Sequence, residues 1–305
     1  MPESEKRRLL VVGIDGATYD LLDPMIERGL LPNLAALIKR GFRADLRSTI
    51  PPNSAAAWAT FVTGKNPGRH GVLTFQATRP SAEPGREFRP GAYTFLSSES
   101  IVGRRIWDVL GDHGKRVAVI NVPMTYPPRP LNGLMVTGLL TPPGAGDFTW
   151  PPELAADLEG YQIEQPLAAM GFSKRADVEL VRSSLEILRH QGETALRLFG
   201  REPWDFFFVC FTGTDRLQHR LWHYFDLSGS PAARDEIQNP ESKTQNLEGD
   251  AEWFRGNLDR YYGLLDSVIG HLIEAAGPAT NAILLSDQSR GPKEGSRWSP
   301  GRRPR

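Results

Sequence analysis

Five side chains of types that do chemistry stand where sheet proteins build sites. They are Asp15 in GIDG, Ser54 in PPNSAAAWATFVTG, Asp215 and His219 in GTDRLQHR, and Asp287 in AILLSD. Asp15, Asp215 and Asp287 each follow a short apolar run, so each acid is expected just past the carboxyl end of a strand, where open parallel sheets bind ligands. His219, four residues after Asp215, shares its helical face. Singly, each residue has an ordinary reading: Asp15-Gly16 as a turn, Asp215 or Ser54 as a helix cap, His219 as a surface histidine, Asp287 as a loop acid. Together they suggest more. Three carboxylates and an Asp-x-x-x-His pair at one sheet edge suit divalent metals, and a serine beside such metals can be deprotonated into a nucleophile. The chemistry this points to is metal-dependent hydrolysis.

Regular elements must hold these residues, and the apolar pattern supplies them. RLLVVGID (8–15) is continuously apolar, the mark of a strand covered on both faces. LPNLAALIKRG reads as a helix, with Pro32 in its first turn, Leu34, Leu37 and Ile38 on one face, and Gly41 at its end. RRIWDVLGDHG and KRVAVINV read as a helix and a strand, and residues 177–199 have the spacing of a long amphipathic helix. The strand WDFFFVCF, the helix TDRLQHRLWHYF, a helix around 252–276 and the strand AILLS follow. This alternation predicts an α/β fold with a mostly parallel central sheet and helices on both faces. Residues 77–99 and 122–152, rich in Pro and Gly, and the polar stretch 227–250 are expected as insertions over the carboxyl edge of the sheet. The domain is expected to span 1–288, leaving 289–305 as an irregular, basic, disordered tail.

Composition removes several function classes. The 36 Lys and Arg balance 36 Asp and Glu, which argues against a general affinity for nucleic acid or anionic membranes. The single Cys210 excludes an internal disulfide framework and a Cys-rich metal site, and within DFFFVCF it is expected to be a buried, inert thiol. The apolar run from Leu9 to Ile14 is too short for a signal-peptide core, and no stretch approaches the roughly 18 apolar residues of a membrane span. A cytoplasmic protein acting on a small molecule is the expectation.

Around TIPPNSAAAWATFVTGKNPGRHGV the chain resembles the type I phosphodiesterase/nucleotide pyrophosphatase family of the alkaline phosphatase superfamily. That family places a Ser or Thr nucleophile ten residues before the Gly of a Thr-Gly pair, followed by a Pro-x-x-His-Gly turn. Thr63-Gly64 puts the nucleophile at Ser54, and Pro67 to Gly71 supply the turn. NSAA is also similar to the nucleophile stretch of alkaline phosphatases, and GIDGATYD, NVPMTYPP, GTDRLQHRLWHYFD and LLSD fit the same family in order. The resemblance implies an alkaline-phosphatase-like fold with two divalent metal ions, usually Zn2+. It implies Asp15, Ser54 and Asp287 on one metal and Asp215 and His219 on the other. Ser54 would attack phosphorus in line, giving a phosphoseryl intermediate that a metal-bound water hydrolyses. Asn53, or a backbone N–H at the helix start, is expected to bind a phosphate oxygen, and His70 to be structural.

Two departures bear on activity. The family has Asp-His-Gly where this chain has Asp287-Gln288-Ser289, and a further histidine downstream of the Asp215/His219 pair that this chain ends before. A weak enzyme is therefore expected, and an inactive truncated fragment or a binding protein keeping the fold is the alternative. A sulfatase is disfavoured, because that class needs Cys or Ser in a C/S-x-P-x-R motif and Ser54-Ala55-Ala56-Ala57-Trp58 lacks both Pro and Arg. Ala57 stands where nucleotide-specific relatives carry a phosphate-binding Asn. That counts against a nucleotide preference, and phosphodiester, pyrophosphate and phosphomonoester substrates all stay open.

Overall fold

The computed structural model describes residues 8–78, 93–165, 167, 171, 173–225 and 247–288. The chain enters through β1 (Arg8–Ile14), then α1 (Tyr19–Glu27), α2 (Pro32–Arg40), α3 (Ser54–Thr63) and the short α4 (Pro67–His70). A ribbon of β2 (Gln76–Thr78) and β3 (Tyr93–Phe95) precedes α5 (Ile106–Asp112), β4 (Val117–Val122), β5 (Gly133–Thr137) and β6 (Thr149–Trp150). Then come α6 (Lys174–Phe199), β7 (Phe206–Phe211), α7 (Gly213–Leu221), α8 (Leu247–Ala276) and β8 (Thr280–Leu285).

Six strands form one sheet in the order β6-β5-β4-β7-β1-β8. All neighbours are parallel except β5 and β6. The continuous apolar runs are explained by cover on both faces. Leu10, Val12, Phe207 and Val209 share a core with Leu188 of α6, Leu217 of α7 and Leu265 of α8. Val11, Val119 and Phe208 point the other way, into a core with Trp58 and Val62 of α3 and Trp107 of α5. Cys210 lies buried in β7.

The structure alters two expectations. Leu34, Leu37 and Ile38 share a face of α2 but are only half-buried. That helix is fixed from outside: the carboxylate of Asp266 in α8 accepts the N–H groups of Asn33 and Leu34 at 3.0 and 2.8 Å, serving orphan donors of its first turn. Residues 122–152 are more than an insertion, because they carry β5 and β6 and widen the sheet. The five-residue run GLMVT is too short to stand out among the prolines and glycines around it. The expected insertion 77–99 is described only at its ends, in β2 and β3. Most of 227–250 and the tail 289–305 lie outside the described residues. Among the described residues no helix is long and apolar enough to cross a membrane.

Candidate active site

The turn after β1 is one that demands glycine. Gly16 has φ +70°, and a Cβ there would lie 2.9 Å from Asp215. Acids far apart in sequence, Asp15 and Asp215, are thereby brought side by side. Thr214 Oγ1 donates to the Asp15 carbonyl and ties the start of α7 to the end of β1. Beyond β8, Asp287 Oδ1 accepts the Gly16 N–H at 3.0 Å, while Ser48 Oγ donates to the Asp287 carbonyl at 2.5 Å. Three strand ends thus close on one point.

Ser54 arrives on α3. The helix is capped by Asn53, whose Oδ1 accepts the Ala55 N–H at 3.1 Å, so Ser54 is released from that duty. Its Oγ donates instead to Asp15 Oδ1 at 3.0 Å. One turn along the helix, the buried Trp58 donates its indole N–H to Asp15 Oδ2 at 3.4 Å. Gln288 Nε2 lies 2.8 Å from Ser54 Oγ and 3.4 Å from Asp215 Oδ1, bridging the two halves of the cluster. His219 Nε2 lies 3.3 Å from Asp215 Oδ2 across one helical turn. Asp15, Ser54, Asp215, His219 and Asp287 are therefore gathered at the carboxyl edge of the sheet. The cap reading fails for Asp215 as well, since Thr212 holds the cap position of α7.

Burial dominates the electrostatics of the cluster. Burial first, and then the carboxylates of Asp287 and Asp215, push the Asp15 carboxyl well above the usual carboxylate range. Burial also raises Asp287, although bonds from Asp15, Gly16 and Ser54 pull the other way. The Cys210 thiol beneath them is pushed well up by burial and then by Asp15 and Asp287. No cation figures among the influences on either Asp15 or Asp287. Asp287 Oδ2 is buried with no hydrogen-bond partner. Among the described residues no group of three or more His, Cys, Asp or Glu is spaced as a ready coordination shell. The donor chemistry nonetheless fits a divalent cation: carboxylates, a hydroxyl and an orphaned buried oxygen.

Several members of the site had weak sequence signals. Trp58 stands four residues after Ser54 and so on its helical face, which is the pattern that could have marked it. Thr214 could have been suspected only from its place beside Asp215. His70 is structural in its contacts: it is buried, its Nε2 is 2.9 Å from Thr60 Oγ1, and its Nδ1 accepts the Val72 N–H at 3.2 Å. Burial lowers its pKa.

A mostly parallel sheet covered by helices on both faces, with acids and a helix-borne serine at its carboxyl edge, defines an α/β protein with its candidate site at that edge. Within that class the chain belongs to the Type I phosphodiesterase / nucleotide pyrophosphatase family, whose sequence model matches residues 9–295. Solved structures with similarity include phosphonoacetate hydrolase from Sinorhizobium meliloti 1021 in complex with phosphonoformate. It is 19% identical, with 86% of this chain and 54% of that chain covered and a TM-score of 0.48. BT1596, a 2-O GAG sulfatase, is 12% identical over 93% of this chain and 58% of that one, with a TM-score of 0.40. The chain thus spans little more than half the length of these structures. No curated protein matches it.

Proposed function

We propose that this chain hydrolyses a phosphodiester, pyrophosphate or phosphomonoester bond of a small substrate, with Ser54 as nucleophile. The observation that carries this reading is the Ser54 Oγ to Asp15 Oδ1 bond of 3.0 Å at the start of α3. A carboxylate made more basic by burial faces a hydroxyl at a helix N-terminus, where phosphate oxygens are favoured. Ser54 gives its proton to Asp15 as its oxygen forms the bond to phosphorus. The bond from phosphorus to the leaving oxygen breaks, and that oxygen keeps the electron pair. Water then cleaves the phosphoseryl group and restores Ser54. Backbone N–H groups at the helix start, and the side-chain amide of Asn53, hold the phosphate oxygens.

Asp15, Ser54 and Asp287 would hold one divalent cation and Asp215 and His219 a second, for which the resemblance implies zinc. Such ions lower the pKa of a hydroxyl and offset charge on the leaving oxygen. The proposed setting is the cytoplasm, in keeping with a single buried thiol. Two observations favour a second reading, a weak or inactive member that keeps the fold. Gln288 fills the space between Ser54 and Asp215 where the resemblance implies an imidazole, and the Asp215 side is met by His219. The test is turnover of a chromogenic phosphodiester by the natural chain and Ser54→Ala, with divalent ions added. Loss of turnover by about a thousandfold or more in Ser54→Ala is expected. Equal rates would remove Ser54 from the mechanism, and no turnover in either would favour the second reading.

A further inference from the structure

The side chains around Ser54 form an oxygen-rich set. Ser54 Oγ is 3.0 Å from Asp15 Oδ1, and Asp287 Oδ1 accepts the Gly16 N–H at 3.0 Å. Asp287 Oδ2 is left without a partner, in a residue only 7% exposed. The remaining neighbour is the Gln288 carboxamide, 2.8 Å from Ser54 Oγ. Of the six histidines, His219 bonds a cluster carboxylate on the Asp215 side, and His70 is committed to Thr60 and Val72. No imidazole faces Ser54 among the described residues.

The Gln288 amide turns its nitrogen inward because both groups it meets are acceptors there: Asp215 Oδ1, and Ser54 Oγ, whose proton goes to Asp15. A half-turn about the last side-chain torsion exchanges this nitrogen for Oε1. The turned amide loses its two hydrogen bonds and is favoured only when a cation faces it. Carboxylate, hydroxyl and amide oxygens suit Mg2+ and Mn2+, whereas imidazole nitrogen suits zinc. We propose that Gln288 sets the metal preference of the Ser54 half of the site, shifting it from zinc toward Mn2+ or Mg2+. This inference rests on the metal-dependent reading above and narrows it at one position.

Calorimetric titration of the metal-stripped full-length chain with Mn2+ and with Zn2+ tests it, comparing the natural chain, Gln288→His, Gln288→Ala and Asp287→Asn. Mn2+ binding that Asp287→Asn abolishes is expected. Gln288→His should tighten zinc by about tenfold or more relative to Mn2+, and Gln288→Ala, which removes the amide oxygen, should weaken Mn2+ relative to zinc. An unchanged ratio in a Gln288→His chain with intact circular dichroism overturns the inference and leaves the metal-dependent reading standing. Failure of the natural chain to bind either ion removes both.

Discussion

Asp287→Asn should stabilise the metal-free protein, although it damages the site. The Asp287 carboxylate is buried, its Oδ1 accepts the Gly16 N–H at 3.0 Å, and its Oδ2 has no partner beside the Asp15 carboxyl. An asparagine keeps an oxygen for Gly16 and turns an amide N–H toward Asp15, removing a buried charge and an orphan acceptor together. An unpaired buried polar group costs about 1–3 kcal/mol, and a charge costs more. A gain of about 1–3 kcal/mol is therefore expected above neutral pH, or roughly 2–6 °C in melting temperature for a chain of this size.

The pH dependence follows from the raised folded pKa of Asp287. Its unfolded value is about 3.9, so between that and its higher folded value the folded state binds more protons. Stability consequently falls as pH rises through this window and is then level. The penalty is absent below the unfolded value, so the difference between natural chain and variant should shrink toward acid. Asp15, raised further by burial and by Asp287, acts with the same sign. Thermal unfolding in chelator at pH 5 and pH 8, followed by circular dichroism, measures the difference. Divalent ions should reverse the order, because a ligand at a thousand times its Kd adds about 4.1 kcal/mol to the natural chain only. A variant less stable than the natural chain at pH 8 in chelator would refute the reasoning about uncompensated charge.

Other perturbations have equally definite outcomes. Gly192→Ala places a Cβ 2.6 Å from Val268 Cγ2 where α6 meets α8, and should cost about 1–3 kcal/mol by denaturant unfolding, with relief when Val268→Ala is added. Gly16→Ala strains a positive φ and pushes Asp215 away, so turnover should fall further than the melting temperature alone accounts for. Phe42, Leu46 and Ile50 lie exposed in the irregular stretch between α2 and α3. Leu46→Lys with Ile50→Lys should reduce self-association in light scattering while changing stability by less than about 0.5 kcal/mol each.

The sheet's interior was legible because runs such as RLLVVGI and FFFVCF are apolar without alternation, and only burial on both faces explains that. β5 and β6 were not, since a short strand at a sheet margin needs few apolar residues and its loops carry the proline and glycine signals of an insertion. The site divides in the same way. Asp15, Asp215 and Asp287 could be anticipated because parallel strands in one sheet deliver their carboxyl ends to a common edge. What no spacing encodes is the sharing of hydrogen bonds once the edge is assembled. Ser54 is free of capping because Asn53 takes the Ala55 N–H, and its hydroxyl turns instead to Asp15, which arrives from another element. Gln288 is the sharper case. In sequence it is the absence of an imidazole, but in the fold its amide reaches both Ser54 and Asp215, so the substitution puts a neutral donor between the two halves rather than a gap. A side chain seated in a charged cluster has to satisfy its neighbours, and a carboxamide can face them with N–H or with oxygen according to the charge it meets.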